Sequence, residues 1–185
     1  MTRRFYIFAT AIAASLFAAG YTAIAITDPL PRVIWNASAS VPIGFYRVTP
    51  DSDPPVGSLV AVAPPEQLAR WMTEHGYLGE HVPLLKHVVA KSGARICRIG
   101  NIVSIDARPV ATALSSDRLG RPLPVWQGCR TLRDVEIFLL NPAHPDSFDG
   151  RYFGPLDAST VLGRARPILT RDALGAPFEW RSGNP

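Results

Sequence analysis

One serine and one lysine of this chain have the side chains and the surroundings of a catalytic pair. Ser40 lies in the run NASASVPIGFY, and Lys86 lies in the apolar run VPLLKHVVA. Of the 19 basic residues, 17 are Arg and 2 are Lys, and an arginine guanidinium does not deprotonate in proteins. Lys86 is therefore a candidate general base for the Ser40 hydroxyl, and the pair predicts a serine peptidase without a catalytic histidine.

The apolar neighbours of Lys86 bear on whether its amine can act as a base. A lysine with the ordinary pKa near 10.4 is neutral in only about one molecule in 2,500 at pH 7. Burial lowers a lysine pKa by several units, and Leu84, Leu85 and Val88 supply apolar surroundings. An amine that reaches solvent from a strand edge is the alternative for Lys86, and an ordinary turn serine is the alternative for Ser40.

A third segment, DSFDGRYFGPL from Asp146 to Leu156, carries two opposite charges close together. Asp149 and Arg151 are two residues apart, so on an extended segment their side chains point to the same face and can pair beside a site. An ordinary polar β-turn is the alternative interpretation of this run.

The N-terminus carries a long uncharged segment that indicates export from the cytoplasm. Residues 5–26 include no charged side chain and follow two arginines, which favours a cytoplasmic N-terminus and places the rest of the chain outside. The length favours an uncleaved anchor, because about 20 apolar residues cross a bilayer. The run Ala23-Ile24-Ala25 resembles the small-residue site at which signal peptides are cut, so cleavage after Ala25 is the alternative and would make the segment a signal peptide. We predict a signal peptide or signal anchor over residues 1–27 and a periplasmic peptidase domain over residues 28–185.

The composition favours a single folded domain behind that segment. With 185 residues and 47% apolar side chains, the chain is long enough to bury a core. The net charge is only +4 and the basic residues form no continuous run, so we expect no nucleic acid partner.

The cysteines and histidines bear on disulfides and metal sites. In an exported domain, the even pair Cys97 and Cys129 predicts one disulfide, with two buried free thiols as the alternative. Glycine and proline interrupt the spacing of the histidines, so no metal-binding motif results, and we expect neither a metal nor another cofactor. The histidines are His75, His81, His87 and His144.

The hydrophobic pattern places these residues on a mainly β fold. Short runs rich in apolar and β-branched residues, separated by glycine and proline, are typical of strands. We predict strands over residues 44–48, 58–63, 84–90, 94–99, 101–106, 135–140 and 161–169. One helical insertion is predicted over residues 65–75, where Leu68, Trp71 and Met72 share a face. Residues 118–128 are expected to form an excursion between the two cysteines.

These motifs resemble the Ser-Lys signal peptidase family (S26), and most closely its TraF-type branch of conjugative-transfer peptidases. The serine run of that family has the pattern S-x-P-x-G-x-[YF], and its base run resembles K-[RH]-x-V-[AG]-x-x-G. The matching residues are Ser40, Pro42, Gly44 and Tyr46 in the first run and Lys86, His87, Val89, Ala90 and Gly93 in the second. This register assigns the base role to Lys86 and not to Lys91.

The resemblance also implies supporting residues around the pair. Ser38, two residues before the nucleophile, corresponds to the side-chain donor that joins the Ser40 backbone N–H in an oxyanion hole. In the family pattern S-x-D-[SG]-R-Y-[FW]-G, Ser147 would orient the lysine amine, while Asp149 and Arg151 would brace the loop. The implied fold is a signal-peptidase-like β-sheet or barrel domain with one short helical insertion and an N-terminal transmembrane or signal helix.

Departures from the housekeeping leader-peptidase pattern favour the specialised branch. Val41 replaces the usual Met, Pro42 follows one residue sooner, and Gly150 replaces the usual Ser. The branch implies a periplasmic enzyme at the inner membrane that cleaves a pilin precursor after a small residue, through an acyl-enzyme on Ser40. Water or an amine of the same pilin chain would then accept the acyl group, giving a cut or a cyclic product.

Two other functions are compatible with the sequence. One is a general type I signal peptidase that processes many exported proteins. The other is a noncatalytic periplasmic assembly component of the transfer apparatus that retains the fold. The intact Ser40, Lys86 and DSFDGRYFGPL run argue against this noncatalytic alternative.

Overall fold

The N-terminal segment forms one long helix in the computed structural model, which describes residues 3–27, 32–79 and 82–181. Helix α1 runs over Arg3–Thr27, and its 25 residues extend about 38 Å. By length and composition it can cross a membrane, whose hydrocarbon core is about 30 Å thick. An anchor and a signal sequence both satisfy this test. The predicted boundary after residue 27 adjoins residues 28–31, which lie outside the described residues.

The chain divides into two compact units, Met1–Pro31 and Arg32–Pro185, and the second is built mainly from strands. In chain order, the strands within its described residues are β1 (Val33–Asn36), β2 (Ile43–Thr49), β3 (Leu59–Val62), β4 (Leu84–Ala90), β5 (Arg95–Ile99), β6 (Ile102–Ile105), β7 (Arg108–Thr112), β8 (Gly128–Thr131), β9 (Glu136–Leu140), β10 (Leu156–Asp157), β11 (Val161–Arg171) and β12 (Glu179–Trp180). The helices there are α2 (Glu66–Glu74) and α3 (Gly150–Phe153), with a 3-10 turn over Ala158–Thr160. The prediction of a mainly β fold is confirmed.

The strands form two antiparallel sheets. The larger sheet has the order β1-β2-β11-β3-β4-β9-β10, with β12 paired to β11, and the smaller sheet has the order β7-β6-β5-β8. The pairing register shifts at Val88–Ala90 in β4 and at Val161–Gly163 and Pro167–Leu169 in β11, and such bulges bend a strand. The strand order places β4 between β3 and β9, away from the edges of the larger sheet.

Helix α2 is the predicted helical insertion, and it contributes to the main core. It begins directly after Pro65, whose fixed backbone angle suits a helix start. Met72 is buried, and Leu68 and Trp71 pack against the same apolar cluster, as their spacing predicted. Helix α3 is a second, single-turn helix that the sequence pattern did not predict.

A disulfide ties together two strands of the smaller sheet. Cys97 on β5 lies directly opposite Cys129 on β8, and their sulfur atoms are bonded, which confirms the predicted pairing. The closed segment contains the predicted excursion over residues 118–128, and an isolated bridge joins Ser116, just before the excursion, to Pro122 within it.

Removal of this disulfide should weaken the fold. The Cys97→Ser/Cys129→Ser double variant opens a loop with a sequence separation of 32, and the chain-entropy relation gives a loss of about 3 to 4 kcal/mol in the free energy of unfolding. Chemical denaturation with and without reductant measures this loss. Reduced wild type should match the double variant, and a loss below about 1 kcal/mol would contradict the expectation.

Candidate active site

Ser40 lies in the turn between β1 and β2, and one buried asparagine holds that turn. The Nδ2 group of Asn36, the last residue of β1, donates to Ser38 O at 2.8 Å. The same group donates to Val41 O at 3.1 Å and to Pro42 O at 3.0 Å. Carbonyl groups on both sides of the candidate nucleophile therefore converge on one amide.

The hydroxyl groups of Ser38 and Ser40 lie side by side. Their Oγ atoms are 3.2 Å apart. Asn36 Oδ1 accepts from Ser38 N at 3.1 Å and from Ser38 Oγ at 2.9 Å. Sequence reasoning identified both serines but missed Asn36, although an asparagine at the start of a serine-rich turn commonly bonds the turn backbone.

Two further residues of the serine run fix its path into β2. The Tyr46 hydroxyl donates to Pro42 O at 2.6 Å, and burial raises the pKa of Tyr46 to about 12, so the hydroxyl keeps its proton. Gly44 has a φ of +147°, and a Cβ at this position would lie 2.1 Å from Leu169 O. Glycine therefore allows the close approach of β2 and β11 beside the turn.

Lys86 is buried within the larger sheet, with 4% of its surface exposed. On β4 its side chain shares a face with Leu84 and Val88 of the main apolar cluster. Burial lowers the pKa of Lys86 from 10.5 to about 8; Asp149 opposes this change and Arg151 reinforces it. About one amine in ten is then neutral at pH 7. The alternative of an amine that reaches solvent is wrong.

The Lys86 amine donates to Ser147 Oγ at 2.8 Å, and Ser147 is itself buried. Arg151 Nη2 donates to Ser147 O at 3.2 Å, which ties the backbone at this position to the arginine. The contact is compatible with the orienting role that the family resemblance implies for Ser147.

Asp149 and Arg151 form a buried ion pair behind Ser147, with 0% and 1% of their surfaces exposed. Asp149 Oδ1 accepts from Arg151 N at 3.1 Å and from Arg151 Nε at 2.8 Å. Asp149 Oδ2 accepts from Arg151 Nη2 at 2.8 Å and from Asn141 N at 2.9 Å. Arg151 also donates to His144 O at 2.7 Å. These bonds satisfy both buried charges and hold the loop that carries Ser147.

Asp149 and Arg151 pair as predicted and Asp149 has an extended backbone, but the extended conformation expected at Arg151 is wrong, because Arg151 lies in helix α3. Asp149 is the N-cap of α3, and its side chain bonds the backbone N–H of Arg151 at the second helical position. A Cβ on Gly150 would lie 2.7 Å from Leu139 O and 2.8 Å from Phe138 Cε2. The close packing of α3 against β9 therefore accounts for the glycine at position 150.

Asn141 is a second buried asparagine that sequence reasoning missed. Its Nδ2 donates to Leu85 O at 3.0 Å, and its Oδ1 lies 3.0 Å from His87 Nδ1. These partners are the two residues that flank Lys86 on β4. Asn141 therefore links the strand that carries Lys86 to the ion-pair loop.

Four of the six predicted site residues line one cavity of about 340 Å³, whose walls are partly apolar, whereas Asp149 and Arg151 do not line it. Its lining includes Ser38, Ser40, Lys86 and Ser147, with Met72, Leu84, Leu123 and Phe148. Over residues 32–79 and 82–181, no hydrogen bond joins Ser40 Oγ directly to Lys86 Nζ. Ser40 instead contacts Ser38, and Lys86 contacts Ser147. Both groups therefore face the same cavity.

Another wall of this cavity is lined by residues at the start of the predicted excursion over residues 118–128, and by Asp117 just before it. Asp117 accepts from the Tyr77 hydroxyl at 2.6 Å and from Arg121 Nε at 2.6 Å. The bond from Tyr77 makes the largest contribution to holding the pKa of Asp117 below its usual range. Arg118 forms an ion pair with Asp146 of the loop before Ser147. These contacts hold opposite walls of the cavity together.

The described histidines do not form a metal-binding cluster. Among residues 3–27, 32–79 and 82–181, no group of three or more His, Cys, Asp and Glu side chains is placed to hold a metal ion. His75 Nδ1 lies 2.8 Å from Trp71 O, and His87 contacts Asn141. His81 lies outside the described residues.

The lowered pKa of Lys86 predicts how activity should depend on pH. The neutral amine accepts a proton, and its fraction rises from about one tenth at pH 7 to about nine tenths at pH 9. Accordingly, kcat/KM should increase about tenfold over this interval and level off above it. Initial rates on a fluorogenic peptide across this range provide the measurement. A flat profile, or a midpoint above pH 10, would contradict the proton-accepting role.

Comparison with known proteins identifies the family. The signal peptidase, peptidase S26 family matches residues 4–170. The chain is 36% identical over 145 residues to a probable conjugal transfer protein TraF of Sinorhizobium fredii, covering 73% of this chain and 76% of that protein. It is 33% identical over 178 residues to a conjugal transfer protein TraF of Agrobacterium tumefaciens, covering 91% and 97%. The chain belongs to the signal peptidase S26 family, in its TraF-type branch.

Two further proteins show similarity. A plasmid transfer protein TraF of Escherichia coli is 33% identical over 147 residues, covering 73% of this chain and 81% of that protein. The solved structure of a signal peptidase I from Enterococcus faecalis is 16% identical, with a TM-score of 0.36, covering 60% of this chain and 96% of that chain. The family relationship confirms the resemblance drawn from the sequence motifs.

Proposed function

We propose that this protein is a Ser-Lys endopeptidase of a conjugation system that processes a pilin precursor. The observation that carries the proposal is the shared cavity, which is lined by Ser40 and by the buried Lys86 with a pKa near 8. Family membership supports peptidase activity. The relatives named conjugal or plasmid transfer proteins support a role in conjugation.

In the proposed reaction, the neutral Lys86 amine takes the Ser40 proton while Ser40 Oγ attacks the scissile carbonyl carbon. The Lys86 ammonium then gives this proton to the leaving amine as the amide C–N bond breaks, and the acyl group stays on Ser40. The bond from Lys86 Nζ to Ser147 Oγ at 2.8 Å would restrict the amine to this position before substrate binds.

Ser38 Oγ and the Ser40 backbone N–H would stabilise the oxyanion. Within residues 32–79 and 82–181, Ser40 N donates no hydrogen bond, so the substrate oxygen can receive one. A side-chain donor at such a site contributes about 3 to 4 kcal/mol to transition-state stabilisation.

The acyl acceptor decides the product. Water would release a shortened pilin, whereas an amine of the same pilin chain would give a cyclic subunit. Helix α1 supports a location at the inner membrane, with the unit Arg32–Pro185 in the periplasm. In this proposal the precursor reaches the cavity from the periplasmic side.

Co-expression with the pilin precursor of the same conjugation system tests the proposal. Wild type should shorten the precursor, and Ser40→Ala should leave it at its full molecular mass. A product lighter than the linear fragment by one water identifies cyclisation. Full processing with Ser40→Ala would overturn the proposal in favour of a noncatalytic component. Accumulation of many exported precursors with this variant would instead indicate a general signal peptidase.

A further inference from the structure

The side chain of Asn36 makes five hydrogen bonds, all to the turn that carries Ser40. Its nitrogen donates to three backbone carbonyls, and its oxygen accepts from the N–H and the hydroxyl of Ser38. The residue is 9% exposed and ends β1. Asn36 therefore fixes the turn to the larger sheet from β1, and the bond from the Tyr46 hydroxyl to Pro42 O adds a second attachment from β2.

The partners of the Asn36 amide determine its orientation. Three carbonyl oxygens face one end of the amide, and only a nitrogen can donate to them. The Ser38 backbone N–H faces the other end and requires an oxygen. A flipped amide would bring its oxygen against three other oxygens. Oδ1 is therefore the acceptor of the Ser38 hydroxyl hydrogen.

This orientation sets the direction of the hydrogen bond between the two serines. A hydroxyl has one hydrogen, and Ser38 gives it to Asn36 Oδ1 at 2.9 Å. Ser38 Oγ can then only accept from Ser40 Oγ, which is 3.2 Å away. In the hydrogen bond between these two hydroxyls, Ser40 is therefore the donor and its hydrogen points to Ser38.

We propose that Asn36 is a positioning residue whose nitrogen fixes the turn presenting Ser40 and whose oxygen holds the Ser38 hydroxyl hydrogen until an oxyanion forms. A charged oxygen is a stronger acceptor than a neutral amide oxygen. As charge develops on the substrate, the Ser38 hydroxyl turns from Asn36 to the oxyanion, while the Ser40 proton passes to Lys86. This inference rests on the proposed function.

Acylation by a penem provides a test that does not depend on the pilin. The Ser40 Oγ–carbon bond forms, the β-lactam C–N bond breaks, and the Ser40 proton passes through Lys86 to the lactam nitrogen. Asn36→Ala should lower the maximal acylation rate constant about 30-fold and change the half-saturating penem concentration less than about threefold. The pH midpoint should stay near 8, because the variant leaves the surroundings of Lys86 intact. A general loosening of the site would move that midpoint.

Further variants separate the two ends of the amide. Asn36→Asp keeps an acceptor for Ser38 but loses the donor to the three carbonyls, and its charge would retain the Ser38 hydrogen. It should therefore acylate at least as slowly as Asn36→Ala. Part of the Asn36 effect passes through Ser38. The fold decrease in the acylation rate constant of the double variant Asn36→Ala/Ser38→Ala should therefore be smaller than the product of the fold decreases in the two single variants. Asn101→Ala changes an exposed turn asparagine and should acylate like wild type.

Four results distinguish the possible failures. An acylation rate constant for Asn36→Ala equal to that of wild type would overturn the inference. A fold decrease in the double variant equal to the product of the two single fold decreases would also overturn it. If wild type reacts with the penem but leaves the pilin precursor intact, only the substrate assignment fails. If wild type acts on neither, the proposed function and this inference fail together.

Discussion

Replacement of Lys86 by Met is expected to lower kcat/KM about 10⁴-fold. Methionine retains an apolar chain of similar length but has no nitrogen that accepts the Ser40 proton. The Ser147 hydroxyl, which receives the bond from Lys86, is too weak a base to substitute. Initial rates of the purified variant on a fluorogenic peptide give the comparison with wild type.

The same variant should be more stable than wild type, because burial of the ammonium opposes folding. The pKa of Lys86 falls from 10.5 to about 8 in the folded protein, which corresponds to a cost of about 3 kcal/mol. This cost is fully present below about pH 8 and disappears as the pH rises to 10.5. Denaturation at pH 7 should therefore show a higher free energy of unfolding for Lys86→Met, together with lost activity.

Lys91→Met is the matched control for this prediction. Lys91 follows the end of β4 and pairs with Asp53, outside the residues that line the cavity. The control should retain kcat/KM within about twofold, since the charge pair is exposed at Asp53. A Lys86→Met variant with more than about one tenth of wild-type activity would contradict the assignment of the base.

The sequence pattern predicted the buried strands better than the edge strands. β4 has the predicted bounds, because its nearly continuous apolar run reflects burial on both faces. By contrast, β7 contains Pro109 and β8 is exposed along its whole length. Those two strands are held by pairing with β6 and β5, so their own residues give little indication of their conformation.

The residue types of the site were predictable, whereas their connections were not. The serine and lysine runs identify Ser40 and Lys86, but the contact between Lys86 and Ser147 spans 61 residues. Asn36 and Asn141 were missed because asparagine is common in turns and its type alone does not reveal burial. Their importance follows from the hydrogen bonds that they make to neighbouring strands and loops.

Loss of the carboxylate in Asp149→Ala is expected to lower the free energy of unfolding by about 3 to 5 kcal/mol. The variant leaves the Arg151 guanidinium buried without its counter-ion and leaves Asn141 N without its acceptor. Chemical denaturation measures the loss. Asp146→Ala is the matched control in the same loop, where the pair with Arg118 has side chains that are 45% and 81% exposed. That pair should contribute less than about 1 kcal/mol, and equal losses in the two variants would contradict the role assigned to Asp149.

The folded fraction of Asp149→Ala should also show altered catalysis. Arg151 donates to Ser147 O and the Lys86 amine donates to Ser147 Oγ, so a displaced loop should lower kcat more than it changes KM. The Asp149 carboxylate raises the pKa of Lys86, while Arg151 lowers it. Removal of the carboxylate should therefore move the pH midpoint of the residual activity below 8. An unchanged midpoint would contradict electrostatic coupling of the ion pair to Lys86, because a purely structural effect would reduce the rate without this shift.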